Sequence, residues 1–279
     1  RRNGFRSLSG IHRNRRLIKT YMANLTPLDT TGLAAKFAWE RPERKDQAGS
    51  LIIFGGVSLK LKEVDTVFKA SRSYGMGSVY ALVPESLAKV FKRDDPYLIP
   101  INFDGYYGLT DAGLNTFSEE FGLADSLVLA DIGKSSSTEH KLALHLSKTF
   151  KPVVITDSAT NLALSYHAEL LNNSRITLLL SLQNIQRLIK ASGLSLKHPL
   201  LSTSSFKSKL ELLQEFQTQV RANIILIDDG RAISTENGEY INLELNSSTL
   251  ELAARLVSWQ VWSPKSNTSE QLFAANSSL

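Results

Sequence analysis

The chain has 279 residues, 42% of them hydrophobic, with 32 Lys and Arg against 27 Asp and Glu, enough to bury one large α/β core or two small ones. It has no cysteine, which excludes disulfides and Cys-based zinc or redox sites. No apolar run reaches the roughly 18 residues of a membrane-spanning helix, and the expectation is a cytoplasmic protein.

The net charge of +5 is unevenly placed. Residues 1–21 carry seven basic residues (Arg1, Arg2, Arg6, Arg13, Arg15, Arg16, Lys19) and no acid, which leaves 25 basic against 27 acidic residues in the remainder. This basic leader admits three readings. Its composition suits a transit peptide, a basic arm touching RNA or anionic lipid, or an upstream reading frame before a start at Met22, the preferred reading. Outside it no broad basic patch argues for nucleic acid. The five histidines (His12, His140, His145, His167, His198) never stand at the i, i+4 spacing of a helical metal site.

Residues 22–48 read as an N-terminal extension with a helix around Gly32–Trp39. From residue 49 to 262, apolar runs of strand length alternate with helical patterns. Strand Leu51–Phe54 ends in Gly55-Gly56. A helix at 64–74 leads through Gly75-Met76-Gly77 to a strand at 78–83, closed by Pro84 and a short helix at 85–92. A strand at 98–101, a helix at 110–121, a strand at 126–130 and a helix at 138–149 follow. Then come strand 152–156, helix 160–171, strand 175–180, helix 183–191, helix 206–220 and strand 224–227. Asp229-Gly230 and Asn237-Gly238 are hairpin dipeptides around strands at 231–234 and 239–245. Helix 248–260 is the last expected element. The Ser-, Asn- and Pro-rich segments 194–205 and 263–279 read as a surface loop and a flexible tail. This alternation predicts a mostly parallel sheet with helices on both faces and an antiparallel hairpin at its C-terminal edge.

Ligands of open α/β sheets bind beyond the carboxyl ends of the strands, which singles out three segments. Gly55 and Gly56 permit close backbone approach or form a plain turn. Asp157, Ser158 and Asn161 follow the strand Val153–Ile155 and can reach a ligand or cap the next helix. Ser247, Ser248 and Thr249 open the last long helix, where free amides can bind phosphate. The competing reading there is an N-cap, with Glu251 completing a capping box.

Residues 40–260 resemble the ADP/ATP-dependent NAD(P)H-hydrate dehydratase family, a branch of the ribokinase-like superfamily. The likeness rests on Arg44-Lys45, Gly49 and the strand into Gly55-Gly56; on Tyr74-Gly-Met-Gly-Ser-Val79; on Ala124–Ala130; and on Lys151–Asn161, which is similar to Pro-Val-Val-Ile-Asp-Ala-Asp-Ala-Leu-Asn. It implies a ribokinase-like three-layer sandwich, a nucleotide ligand (ADP or ATP), an NAD(P)H-type ligand and a homo-oligomer. The family's acidic and glycine positions are changed. Its two aspartates fall on Thr156 and Ser158, with Asp157 between them and Asn161 retained. Its Gly-Pro-Gly-Leu-Gly loop shrinks to Asp131-Ile-Gly133. Its Thr-Pro-His-x-Gly-Glu falls on Leu179–Asn184, and a lysine expected near Leu226–Asp228 is missing. Gly-Ser-Gly-Asp, which supplies an anion hole and a catalytic base, falls on Asn246-Ser-Ser-Thr249. A threonine hydroxyl is no general base near neutral pH without strong activation. The resemblance therefore implies a catalytically degenerate member with a retained pocket around Gly55, Gly56, Asp157, Asn161 and Thr249, or an active enzyme in which Asp157 or Glu251 is recruited.

Overall fold

The computed structural model describes residues 25–57, 61–88, 97–104, 108–132, 137–194 and 205–277. The leader 1–21, the proposed start at Met22, Gly133 and most of the 194–205 loop lie outside these residues. In chain order the first elements are β1 Thr26–Pro27, α1 Leu33–Glu40, β2 Ser50–Phe54, α2 Leu61–Tyr74, β3 Ser78–Pro84, α3 Glu85–Ala88 and β4 Leu98–Ile101. Next come β5 Phe103–Asp104, β6 Gly108–Leu109, α4 Asp111–Leu123, β7 Ser126–Leu129, α5 Ser137–Ser147, β8 Val153–Ile155, α6 Thr160–Ser165 and α7 His167–Leu170. The last are β9 Ile176–Ser181, α8 Leu182–Ala191, α9 Phe206–Gln217, β10 Asn223–Asp228, β11 Arg231–Glu236, β12 Glu239–Glu244, α10 Thr249–Trp262 and α11 Thr268–Asn276.

Ten strands form one sheet in the order β1-β12-β11-β10-β9-β8-β7-β2-β3-β4, and β5 and β6 pair separately. Every pairing from β4 across to β10 is parallel. Parallel strands are covered on both faces, so their apolar runs are continuous. Side chains alternate between the faces: Ile52, Phe54, Leu127, Leu129, Val153 and Ile155 pack under α4 to α9. Leu51, Ile53, Val128 and Val154 pack under α1, α2, α10 and α11. β10, β11 and β12 run antiparallel. Their loops are the two expected dipeptides, with positive φ at Asp229, Gly230, Asn237 and Gly238, the requirement of a two-residue type I′ turn.

Four expectations need correction. The C-terminal hairpin is not the sheet's edge, because β1 adds parallel to β12. Thr26 N–H donates to Gly238 O at 3.2 Å and Leu28 N–H to Tyr240 O at 2.8 Å. A strand of two residues with a proline leaves no periodicity to read. The N-terminal extension is part of this core: Phe37 of α1 is fully buried and meets Trp259 edge-on, ring centroids 4.9 Å apart. The expected helix 160–171 is two helices, because Tyr166 leaves helical dihedrals (φ −129°, ψ 42°) and stacks on His140.

The expected flexible tail contains the ordered helix α11. Leu272, Ala274 and Ala275 are fully buried, and Asn267 and Glu270 form a capping box. The polar residues that suggested a loose segment are bonding partners. Ser269 Oγ meets Ser234 Oγ at 3.2 Å, Asn276 Nδ2 donates to Glu244 O at 2.8 Å, and Lys36 pairs with Glu270 at 2.9 Å. Composition alone cannot distinguish a solvated Ser or Asn from a capping one.

Candidate functional site

A cavity of about 480 Å³ opens at the carboxyl ends of β8, β9 and β10. Thr156, Asp157 and Ser158 reach it from the end of β8, Ser181 from β9, Ile227 from β10, and Thr249 and Leu250 from the start of α10. Asn161, Arg187 and Glu63 complete the polar lining with Thr160. The fold thus brings Asp157, Asn161 and Thr249 together, although 92 residues separate the first from the last. Gly55, Gly56, Ser247 and Ser248 are not part of this lining.

Gly55, Gly56 and Ser248 each have a visible structural task. A Cβ on Gly55 would sit 2.9 Å from the backbone nitrogen of Asp131, so glycine is required there for β2 to pass β7 closely. Gly56 has a φ of +84°, which glycine adopts without cost. Ser248 is the N-cap of α10. Its Oγ accepts the Glu251 backbone N–H at 3.3 Å, while its own N–H and hydroxyl donate to Glu251 Oε2 at 2.8 and 3.0 Å. Those two bonds hold the Glu251 carboxyl below the usual carboxylate range. The capping box expected as the alternative is therefore formed. It takes up the Ser248 and Glu251 amides and places a negative charge at the helix start, where a phosphate would otherwise be attracted. Ser247 Oγ is buried without a hydrogen-bond partner.

The β8 end is cross-linked rather than open. Asp157 Oδ1 accepts the Ser181 backbone N–H at 2.7 Å, and the Asp157 carbonyl accepts from Thr160 Oγ1 at 2.6 Å. The hydroxyls of Thr156 and Ser158 turn inward to the end of β7. Thr156 Oγ1 donates to Leu129 O at 3.0 Å, and Ser158 Oγ donates to Ala130 O. Ser181 is the N-cap of α8, its Oγ accepting from Asn184 N–H at 3.4 Å, and Arg187 donates to Asn184 Oδ1 at 2.8 Å. Asp157 Oδ2 has no partner among the described residues, which leaves one carboxylate oxygen for a ligand or a proton.

Glu63 and Lys209 escaped sequence reasoning. Glu63 lies in the first turn of α2, with no sequence motif before it. Lys209 of α9 pairs with Asp228 at the end of β10, Nζ to Oδ2 2.5 Å, both half-buried or better. Among the described residues no three His, Asp or Glu side chains gather to hold a metal ion. No helix among them is long and apolar enough to cross a membrane.

No protein-family model matches the sequence, and no curated protein does either. Solved structures do match in fold. A ribokinase-like superfamily protein from Enterococcus faecalis superposes with a TM-score of 0.62 at 14% identity, covering 90% of this chain and 84% of that one. An ADP/ATP-dependent NAD(P)H-hydrate dehydratase from Bacillus subtilis, co-crystallized with ATP and Mg2+ and soaked with CoA, gives 0.57 at 12% identity, covering 90% and 86%. Phosphomethylpyrimidine kinase from Clostridium difficile gives 0.53 at 10% identity, covering 81% and 96%. The fold is ribokinase-like α/β: a mostly parallel sheet with helices on both faces. Identities this low carry the fold and not the reaction.

Proposed function

We propose that this chain is a catalytically degenerate ribokinase-like protein, similar to NAD(P)H-hydrate dehydratase, that keeps a small-molecule cavity and acts by binding or as a subunit partner. One observation carries the reading, the Ser248–Glu251 capping box. It stands where the resemblance calls for an anion hole and a catalytic aspartate: the Ser248 amide is taken by the Glu251 carboxylate and the Glu251 amide by the Ser248 hydroxyl. Thr249 lines the cavity as a hydroxyl, which cannot take a proton from a substrate near neutral pH. The residues present therefore do not fit a nucleotide phosphate at this helix end. The lining combines the charged groups of Glu63, Asp157 and Arg187 with hydroxyls and an amide (Thr156, Ser158, Thr160, Asn161, Ser181), which suits a polar small molecule.

The direct test is incubation with hydrated NADH plus ADP or ATP, following NADH absorbance. The expected result is no gain over the uncatalysed rate. Turnover that is lost in Asp157→Ala would overturn the reading. Thermal-shift titration with ADP, ATP and NADH then asks whether any nucleotide still binds. A subunit role further predicts an oligomer in analytical ultracentrifugation.

The unpartnered Oδ2 of Asp157 favours a second reading, an active ADP/ATP-dependent dehydratase or kinase that uses Asp157 as its acid–base group. The same absorbance assay decides for a dehydratase, and release of ADP from ATP decides for a kinase.

A further inference from the structure

The strands that end at the Asp157 cavity start at another one. A cavity of about 180 Å³ lies at the amino ends of β8, β9 and β10, lined there by Pro152, Arg175 and Asn223, with Glu236 of β11, Gln260 of α10 and Gln271 of α11. Arg175 and Ser181 bound the same strand, so the two cavities are about 20 Å apart along the sheet, at 3.3 Å per residue.

Three observations mark this second cavity as built for a ligand. Gln260 is 94% buried, being only 6% exposed. Its Nε2 donates to Thr177 Oγ1 at 2.7 Å, and its Oε1 has no partner. Exchanging the two amide atoms would leave the nitrogen unpaired instead, so either orientation leaves one buried polar group unsatisfied, an uncommon condition that calls for an explanation. Second, Arg175 and Glu236 line the same cavity with opposite charges, and among the described residues neither forms an ion pair with the other or with a third group. Third, the Glu236 carboxylate already accepts the Thr268 backbone N–H at 2.8 Å. Burial first, and the nearby Glu270 charge in addition, push its pKa upward, the condition of a buried acid without a counter-cation.

We propose that this cavity binds a free α-amino acid, its carboxylate held by Arg175, its ammonium by Glu236, and the Gln260 amide satisfied between them. A single anion would meet Glu236 and a single cation would meet Arg175, whereas a compact zwitterion satisfies both. The space equals about six water volumes, the scale of a small amino acid, and Pro152 and Pro264 provide apolar wall for its side chain.

The test is a thermal-shift and calorimetric titration of the full chain with each standard amino acid at millimolar concentration. At least one is expected to raise Tm and bind, with its N-acetyl and its α-amide derivatives each weaker by about tenfold or more. Arg175→Ala is expected to weaken binding by about tenfold, and Glu236→Gln by a similar factor. Arg175 is exposed, so its variant tests the site without threatening the core. No binding by any free amino acid overturns the proposal. So does equal affinity for the blocked derivatives, or an affinity unchanged by Arg175→Ala.

Discussion

Asp157 and Ser181 are joined across two neighbouring parallel strands: Asp157 Oδ1 accepts the Ser181 backbone N–H at 2.7 Å. This bond ties the ends of β8 and β9 together, and both residues line the larger cavity. It gives the acid a structural role whether or not it has a chemical one. Asp157→Ala should therefore destabilise the fold by about 1–2 kcal/mol, the cost of leaving an amide unpaired. Asp157→Asn, which keeps an acceptor oxygen, should cost less. Urea denaturation of the two variants separates them; equal losses would mean that the bond contributes nothing.

The capping box predicts a graded response. Ser248→Ala should cost about 1 kcal/mol in urea denaturation, as loss of a serine N-cap does. Because the Glu251 pKa is lowered in the folded state, its contribution is fully present above the ordinary carboxylate range and is lost as pH falls through the lowered value. The stability difference between the natural chain and Glu251→Gln should shrink on acidification. A difference that is constant with pH would contradict the assignment.

Glu236 should behave in the opposite sense. Its folded pKa is raised by burial, so the folded state binds more protons than the unfolded one between the ordinary and the raised values. Stability is then highest below the ordinary value and declines as pH rises through the raised one. Glu236→Gln keeps an acceptor for the Thr268 N–H and removes the charge. It should be stabilising relative to the natural chain at neutral pH and close to neutral in effect below the ordinary range. Chemical denaturation across that window measures the crossover.

Lys209 and Asp228 offer a double-mutant cycle. Their charge-assisted bond is largely shielded from water, and Lys209→Met should cost about 2 kcal/mol by stranding the carboxylate. In a background already carrying Asp228→Asn, the same change should cost clearly less. Additive losses would show that the pair is not coupled.

Phe37→Ala tests whether the N-terminal extension belongs to the domain. Phe37 is fully buried against Trp259, and such truncations cost about 3–5 kcal/mol. A single cooperative transition at lower denaturant is expected. A small separate transition for the first helix would instead make the extension an independent unit.

Much of this molecule follows from local sequence. Continuous apolar runs such as Leu51–Phe54 and Leu178–Leu180 specify strands buried on both faces. Asp229-Gly230 and Asn237-Gly238 specify two-residue hairpins because both positions need positive φ. The Ser248–Glu251 spacing was legible as a capping box for the same reason: the interaction spans one helical turn. These features are determined over a few residues. The tertiary structure alone decided what depends on distant partners. It placed Asp157, Asn161 and Thr249 on one cavity and left Gly55 and Ser248 to packing and capping. It brought Lys209 to Asp228 and Arg175 to face the same cavity as Glu236. It also ordered Thr268–Asn276, whose Ser and Asn residues are bonded to β11 and β12 rather than to water. A polar side chain has the same letter in either setting, and only the fold determines which acceptor lies within 3 Å of it.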